Sequence, residues 1–421
     1  MNLFKQRFFS NSVWIIFEKL INIFGLIFVT SGVAKYIGPD NFGKLNIALY
    51  FFSIFQVIAI WGSDTIGIKL IAKFPKRGYK FLKQFLSFKI FSFIIIASAI
   101  NLYFYYEYDS LTMVYSLAVT LSSFIYVVDN FVIYNEANLN SKYNVVTNVI
   151  GLFFALVTRF YISHNELNPV LLSIPIIIQS LVPFIIRAFI FRRSSAVSSI
   201  CSEYLSFRFL RYGLYSGFGL LISSLSILVY INVSRVFVSK FTDLQSLGIY
   251  SVAITLGTTW VFVTNAFVTS LTPKIFTSSD TEKFNVSSHL TRGILLLGVI
   301  YFLLFYFFGK SVVNLLYGEK YIQCYPLVLI LIVSSIFSSM GSAFARLIYS
   351  YNGYSFEAKK TIVTALITVI LSYFFVRHYG LLGAAFSTLI SEFLSLTILN
   401  YFFKKFPIFK VQIYAILNLK V

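Results

Sequence analysis

Seven charged residues stand inside or at the ends of long hydrophobic stretches: Glu18, Lys19, Asp64, Asp129, Arg235, Arg346 and Glu392. A charge at the centre of a bilayer costs about 2.5–3.5 kcal/mol on insertion scales, so each needs a reason. Lys19 and the two arginines have the chemistry to hold an anion. Arginine grips phosphate or carboxylate oxygens through its planar fork, whereas lysine acts as a point charge. The carboxyls have the chemistry to take a coupling ion, either a proton or sodium. Glu392 lies near the middle of its apolar stretch. Asp64 and Asp129 lie where loop cations come within reach.

Each of these residues also has a plainer explanation. Arg235 and Arg346 fall near opposite ends of their stretches and can snorkel to water. Lys89 and Arg159 are expected to do the same. Glu392 can simply satisfy neighbouring hydroxyls. Lys19 lies about nine residues into the first stretch, or ~13 Å along a helix. Glu18 and Lys19 are adjacent and cannot share a helix face, so at least one must face another helix or an aqueous cleft. Three His and two Cys form no recognisable metal site. His289 reads as an interfacial residue. No catalytic constellation appears.

The elements that must position these charges come from composition. Of 421 residues, 58% are hydrophobic and only 12% charged, and mean hydropathy is +0.82. Soluble domains carry about 25% charged residues. The solvent must therefore be lipid. Twelve stretches are long enough to cross it as helices: 11–37, 42–63, 83–106, 111–134, 144–162, 167–191, 209–239, 244–271, 289–313, 323–351, 359–377 and 381–403. Their continuity excludes a barrel, whose strands alternate over about 10 residues. The first stretch is longer than a signal segment, so it reads as an uncleaved span.

The net charge of +19 does not point to nucleic acid, because the basic residues sit in short loops between spans. With the amino terminus inside, 22 of the 34 Lys and Arg fall in inner loops and tails, seven fall outside and five lie within spans. That bias places both termini in the cytoplasm. Cys201 then falls in an inner loop. Cys324 falls at the outer end of the tenth span, where an impermeant thiol reagent is expected to reach it.

The residues 34–48, AKYIGPDNFGKLNIA, align with 239–253, SKFTDLQSLGIYSVA. Lys35/Lys240, Gly43/Gly248 and Ala48/Ala253 are identical. Six spans separate the two copies, an even number, so the repeat is parallel. The chain therefore reads as an all-α polytopic membrane protein of two six-helix lobes around a central cationic cleft. The N-terminal lobe is 1–207, including a polar cytoplasmic joint near 192–208. The C-terminal lobe is 208–421.

Three further segments carry a resemblance. IGPDNFGKLNIALYFFSIFQVIAIWGSDTIGIKLIA resembles the opening hairpin of the polysaccharide-transporter family, with its Gly-Pro-x-x-Phe-Gly turn. LYGEKY at 316–321 resembles the family's Tyr-Gly-x-x-Tyr segment. HYGLLGAAFSTLISE at 378–392 resembles its Gly-x-x-Gly-Ala-Ala segment. Lys69 departs from the family, which often shows Arg there. The wider exporter superfamily (multidrug/oligosaccharidyl-lipid/polysaccharide, MOP) also holds multidrug antiporters and the peptidoglycan-precursor flippase. That flippase usually has fourteen helices, more than this chain has room for.

The resemblance implies an O-antigen-type flippase of the bacterial inner membrane. It would move an undecaprenyl-diphosphate-linked oligosaccharide to the periplasmic leaflet by alternating access, with no covalent chemistry. Its partners would be the lipid-linked oligosaccharide, the bilayer and other polysaccharide-assembly membrane proteins. No cofactor is implied beyond proton or sodium coupling. The cargo site would include Lys19, Arg235, Arg346 and Glu18. Two alternatives remain: a drug/cation antiporter of the same fold, and a polytopic polysaccharide polymerase. The polymerase would need a large outer loop, and every outer loop here is short.

Overall fold

A computed structural model describes residues 21, 25–193, 207–403 and 408–417. Glu18, Lys19 and Cys201 lie outside the described residues. The described chain is helical throughout. Contacts divide it into two compact units, Met1–Leu225 and Ser226–Val421.

The N-terminal unit contains α1 (Thr30–Ile60), α2 (Ser63–Lys73), α3 (Pro75–Glu107), α4 (Ser110–Val128), α5 (Asn130–Ala137), α6 (Ser141–His164) and α7 (Ser173–Arg193). It also contains the first half of α8 (Phe207–Phe241). The boundary falls inside α8 because the start of that helix docks on the N-terminal unit. The Trp61 indole donates to the Leu214 carbonyl at 3.0 Å. A Cβ at Gly217 would lie 2.2 Å from the Trp61 carbonyl oxygen, so only glycine allows this approach.

The C-terminal unit continues with α9 (Leu244–Thr258), α10 (Val261–Thr277), α11 (Asp280–Tyr317), α12 (Cys324–Ser350) and α13 (Tyr354–Leu396). A last helix, α14 (Ile408–Leu417), packs on α11. Helix α12 is the most enclosed candidate span of the unit. Its serines at 334, 335 and 339 are buried and let neighbouring backbones approach.

Among the described residues, nine helices are long and apolar enough to span a bilayer, or ten when α9 and α10, bent by 43°, count as one. Two of the nine contain a backbone break, at Gly38 and Gly380. Divided there, the second through twelfth expected spans each find a described helix. Of the first, residues 11–20 and 22–24 lie outside the described residues.

The motif glycines explain these breaks. Gly38 has φ 75° and ψ 172°, and Gly380 has φ 55° and ψ −130°. Gly318, in the LYGEKY segment, has φ 86°. L-residues avoid this region, so glycine ends one helix and the next begins at once. The repeated hairpins match in burial as well as in sequence. Gly43, Ala48, Gly248 and Ala253 are buried, while Lys35 and Lys240 are exposed.

Several expected boundaries shift. The basic stretch before the third span is helical from Pro75, not loop. The fourth span breaks at Asp129 and resumes as α5. Residues 408–417, read as tail, form α14. Hydropathy reports where lipid ends, but helices continue into water. Cys324 is fully buried, so a thiol reagent would not reach it.

A polar clip closes one end of the N-terminal unit. The Lys44 ammonium reaches Asp40 at 2.9 Å and Asp109 at 2.8 Å. Asp109 also caps α4 by accepting from the Thr112 N–H. Burial works against the Asp109 carboxylate. The Lys44 and Thr112 donors outweigh it and hold its pKa below the usual carboxylate range.

The break at Gly38 gives a direct test. A Cβ there meets no atom within 4 Å, so any penalty is backbone strain alone. Gly38→Ala should cost about 1–3 kcal/mol and lower the unfolding temperature in detergent. Gly341→Ala, also in open space but inside α12, should not. Equal behaviour of the two variants would contradict the assigned break.

Candidate functional site

The N-terminal unit holds its charges at two helix breaks. The first follows Trp61 and Gly62, which take φ 52° and 68° between α1 and α2. It places Asp64 in the first turn of α2. The second break, at Asp129, separates α4 from α5.

Two cations from inside the spans meet these breaks. Lys89 of α3, 2% exposed, lies 3.6 Å from Asp64 and donates to the Asn130 side chain at 3.2 Å. Arg187 of α7 is paired more fully. Its Nε and Nη2 reach Asp129 Oδ2 at 2.9 and 2.6 Å. Its Nη1 donates to Thr147 Oγ1 and Asn148 Oδ1 of α6, both at 2.8 Å. Four of the five guanidinium donors are engaged by these bonds. Arg187 is therefore a structural post joining three helices.

Beside this post lies a cavity of about 530 Å³, within the size range of ligand sites. Gln56, Ser122, Tyr126, Asn148 and Gln179 line it, together with Arg159. Arg159 donates to Gln179 Oε1 at 3.1 Å. Its other donors have no protein partner among the described residues. Gln179 and Arg187 are eight residues apart on α7, so the two arginines are separated by ~12 Å along the helix axis. The cavity thus offers amides, hydroxyls, an aromatic face, the Arg159 guanidinium and the Glu136 carboxyl.

In the C-terminal unit, Arg235 of α8 donates to Asn232 one turn earlier. Arg346 of α12 is half-buried near Tyr349. Tyr230 and Ser338 hydrogen-bond Glu392. A separate hydroxyl cluster joins Ser234, Ser372 and Ser387 at 2.8 and 3.1 Å.

Among the expected residues, then, Asp64 and Asp129 each pair with a cation from inside the spans, Asp64 half-buried and Asp129 buried. The expectation that they reach loop cations is corrected, because both find partners inside the spans. Lys89 and Arg159 do not snorkel: one is buried and paired, and the other faces the cavity. Arg187 received no role from the sequence. It lies four residues from the end of its expected span at 191, where a cation ordinarily snorkels, so the sequence carried no signal for it.

The family model described as "Polysaccharide biosynthesis protein" matches residues 8–279. The chain belongs to the polysaccharide biosynthesis protein family. A relative, the capsular polysaccharide biosynthesis protein CapF of Staphylococcus aureus, is 26% identical over 178 residues. That match covers 41% of this chain and 45% of CapF, so the chain matches less than half of its relative's length.

Solved structures show the fold of this family member. The Lipid II flippase MurJ, in an inward closed conformation, superposes with TM-score 0.68 at 15% identity, covering 97% of this chain and 91% of that one. An inward-facing multidrug resistance MATE family transporter of the MOP superfamily gives TM-score 0.68 at 13% identity, covering 94% and 95%. The chain therefore has the MOP fold. The family match includes the whole cavity and both ion pairs, and it ends before Arg346 and Glu392.

The Arg187–Asp129 pair should behave as a buried ion pair. Asp129→Ala leaves the guanidinium uncompensated and should cost about 3–5 kcal/mol. Replacing both residues, with Asp129→Leu and Arg187→Met, should recover much of that loss because both desolvation penalties disappear. Thermal unfolding of the purified variants checks this. Additive losses in the double variant would show that the two side chains do not act as a pair.

Proposed function

We propose that this protein is a flippase for lipid-linked oligosaccharide. It carries undecaprenyl-diphosphate-linked repeat units of O-antigen or capsule type from the cytoplasmic to the periplasmic leaflet of the bacterial inner membrane. Both termini are cytoplasmic, and lobe rearrangement gives alternating access. No bond in the cargo is made or broken.

The family, the capsular relative and the fold shared with a lipid-linked-precursor flippase support this reading. The observation that carries it is the lining of the N-terminal cavity. Glutamine, asparagine and serine side chains match sugar hydroxyls, and Tyr126 offers a ring face. Donor counting separates the two cavity arginines. Arg187 has four of its five donors engaged, whereas Arg159 keeps most of its donors for an anionic group of the cargo. Arg235 and Arg346 remain proposed cargo contacts of the C-terminal lobe.

Deleting the gene should abolish surface polysaccharide while lipid-linked repeat units accumulate inside the cell. Arg159→Ala should fail to restore it, and Arg159→Lys should restore it partly, since lysine keeps the charge without the fork. A charge-assisted contact is worth roughly 1.5–3 kcal/mol, so binding should weaken about tenfold to a hundredfold. Surface polysaccharide persisting as single, unjoined units in the deletion strain would instead identify a polymerase.

A further inference from the structure

Two segments of the N-terminal unit, 65–106 and the part of 207–242 up to Leu225, contain no Asp or Glu. In the first, Lys69 and Lys73 stand four residues apart on α2, and Lys76 and Arg77 follow at the start of α3. In the second, Arg208 and Arg211 stand on the first turns of α8. All six cations are exposed, and among the described residues none forms an ion pair. Glu136, on the neighbouring α5, is a single carboxylate against six cations. Like charges one turn apart destabilise a helix, so this arrangement favours a counter-charge from outside the protein.

Far apart in sequence, the two segments are packed together. Phe81 of α3 meets the rings of Phe209 and Tyr212 of α8 at 6.4 and 6.3 Å between centroids. A Cβ at Gly213 would lie 2.4 Å from the Phe85 ring, and one at Gly78 would lie 2.4 Å from the Ile71 nitrogen. Glycines thus close α8 on α3 and α3 on α2, around a common core of Ile71, Phe81 and Phe85. These contacts use one side of α8. By helical periodicity Arg208, Arg211, Tyr212 and Tyr215 share the other side.

That free side is not a converging anion pocket. Tyr215 is 88% exposed, and Phe218 is exposed beside it. An open groove of about 1330 Å³ runs along both arginines and these rings. Small-molecule sites occupy about 300–1,000 Å³. At the α2–α3 turn Phe74 is exposed as well, with the Arg77 guanidinium 5.6 Å from its ring centroid. Exposed cations interleaved with exposed rings match a partner that has many phosphates at one level and hydrocarbon directly beneath.

We propose that this surface docks anionic phospholipid head groups of the phosphatidylglycerol class, which hold the start of α8 against the α2–α3 hairpin at the membrane face. Lipid phosphates supply the counter-charge that the two segments lack. Phe74, Tyr215 and Phe218 lie among the first acyl carbons. The contact is electrostatic and apolar, and no bond is made or broken. It depends on neither the cargo nor its direction of movement.

The test is calorimetric titration of the purified full chain in neutral detergent. The probes are short-chain phosphatidylglycerol, short-chain phosphatidylcholine and inorganic pyrophosphate. Phosphatidylglycerol should bind, less tightly as salt rises, and phosphatidylcholine should not. Lys76→Gln with Arg77→Gln should weaken binding about fivefold for each charge removed, and Arg208→Gln with Arg211→Gln should do the same. Arg208→Lys with Arg211→Lys should retain binding, because a point charge suffices. Lys274→Gln with Lys359→Gln removes two exposed cations from the other unit and should leave binding unchanged. Equal weakening by that control pair would overturn the proposal, since binding would then follow net charge alone. Equal binding of phosphatidylcholine would also overturn it. So would pyrophosphate that displaces the lipid, which would mark a soluble-anion site. Polysaccharide export is not part of this readout, so failure of the flippase reading would leave the result standing.

Discussion

A charge inside a bilayer has no bulk water to solvate it, and the N-terminal unit is organised by that constraint. Each buried cation is answered at a place where a helix stops. The breaks at Gly62 and Asp129 bring Asp64 and Asp129 to the depth of Lys89 and Arg187. A continuous helix would direct its own polar groups along its axis. A broken one turns a carboxylate and a fresh helix start toward a neighbour. The pairs are therefore a consequence of the breaks, and the breaks in turn depend on residues that accept unusual backbone angles.

The same constraint separates structural charge from functional charge. Arg187 spends its donors on Asp129, Thr147 and Asn148, and so locks α7 to α4 and α6. Arg159 spends one on Gln179 and faces a polar cavity. Two arginines within one lobe thus differ in how many of their donors the protein itself engages, and only the inventory of partners distinguishes them.

Much of the fold was legible in the sequence because span hydropathy and turn glycines are local signals. The Gly38, Gly318 and Gly380 turns sit where the motif residues placed them. Span ends were read less well. The stretch from Pro75 to Lys83 is charged yet helical, since charge ends a membrane span without ending a helix. The pairings were not legible. Arg187 and Asp129 are 58 residues apart in the chain, and no local pattern connects them. Arg159 looked like an end-of-span cation because its cavity is assembled from five helices. Glu18 and Lys19 lie outside the described residues, so the reading of these two charges rests on sequence alone.

The central claim is transport of a lipid-linked sugar without chemistry on it. Reconstitution into proteoliposomes holding a polyprenyl-diphosphate oligosaccharide tests it most directly. An impermeant glycosidase added outside reports how much of the sugar is exposed. With the protein present, digestion should pass the outer-leaflet fraction and approach completion with the cargo otherwise intact. Arg159→Ala vesicles should stop near that fraction. Digestion that halts at the outer-leaflet fraction with active wild-type protein would contradict the account, and so would a cargo altered in length or linkage.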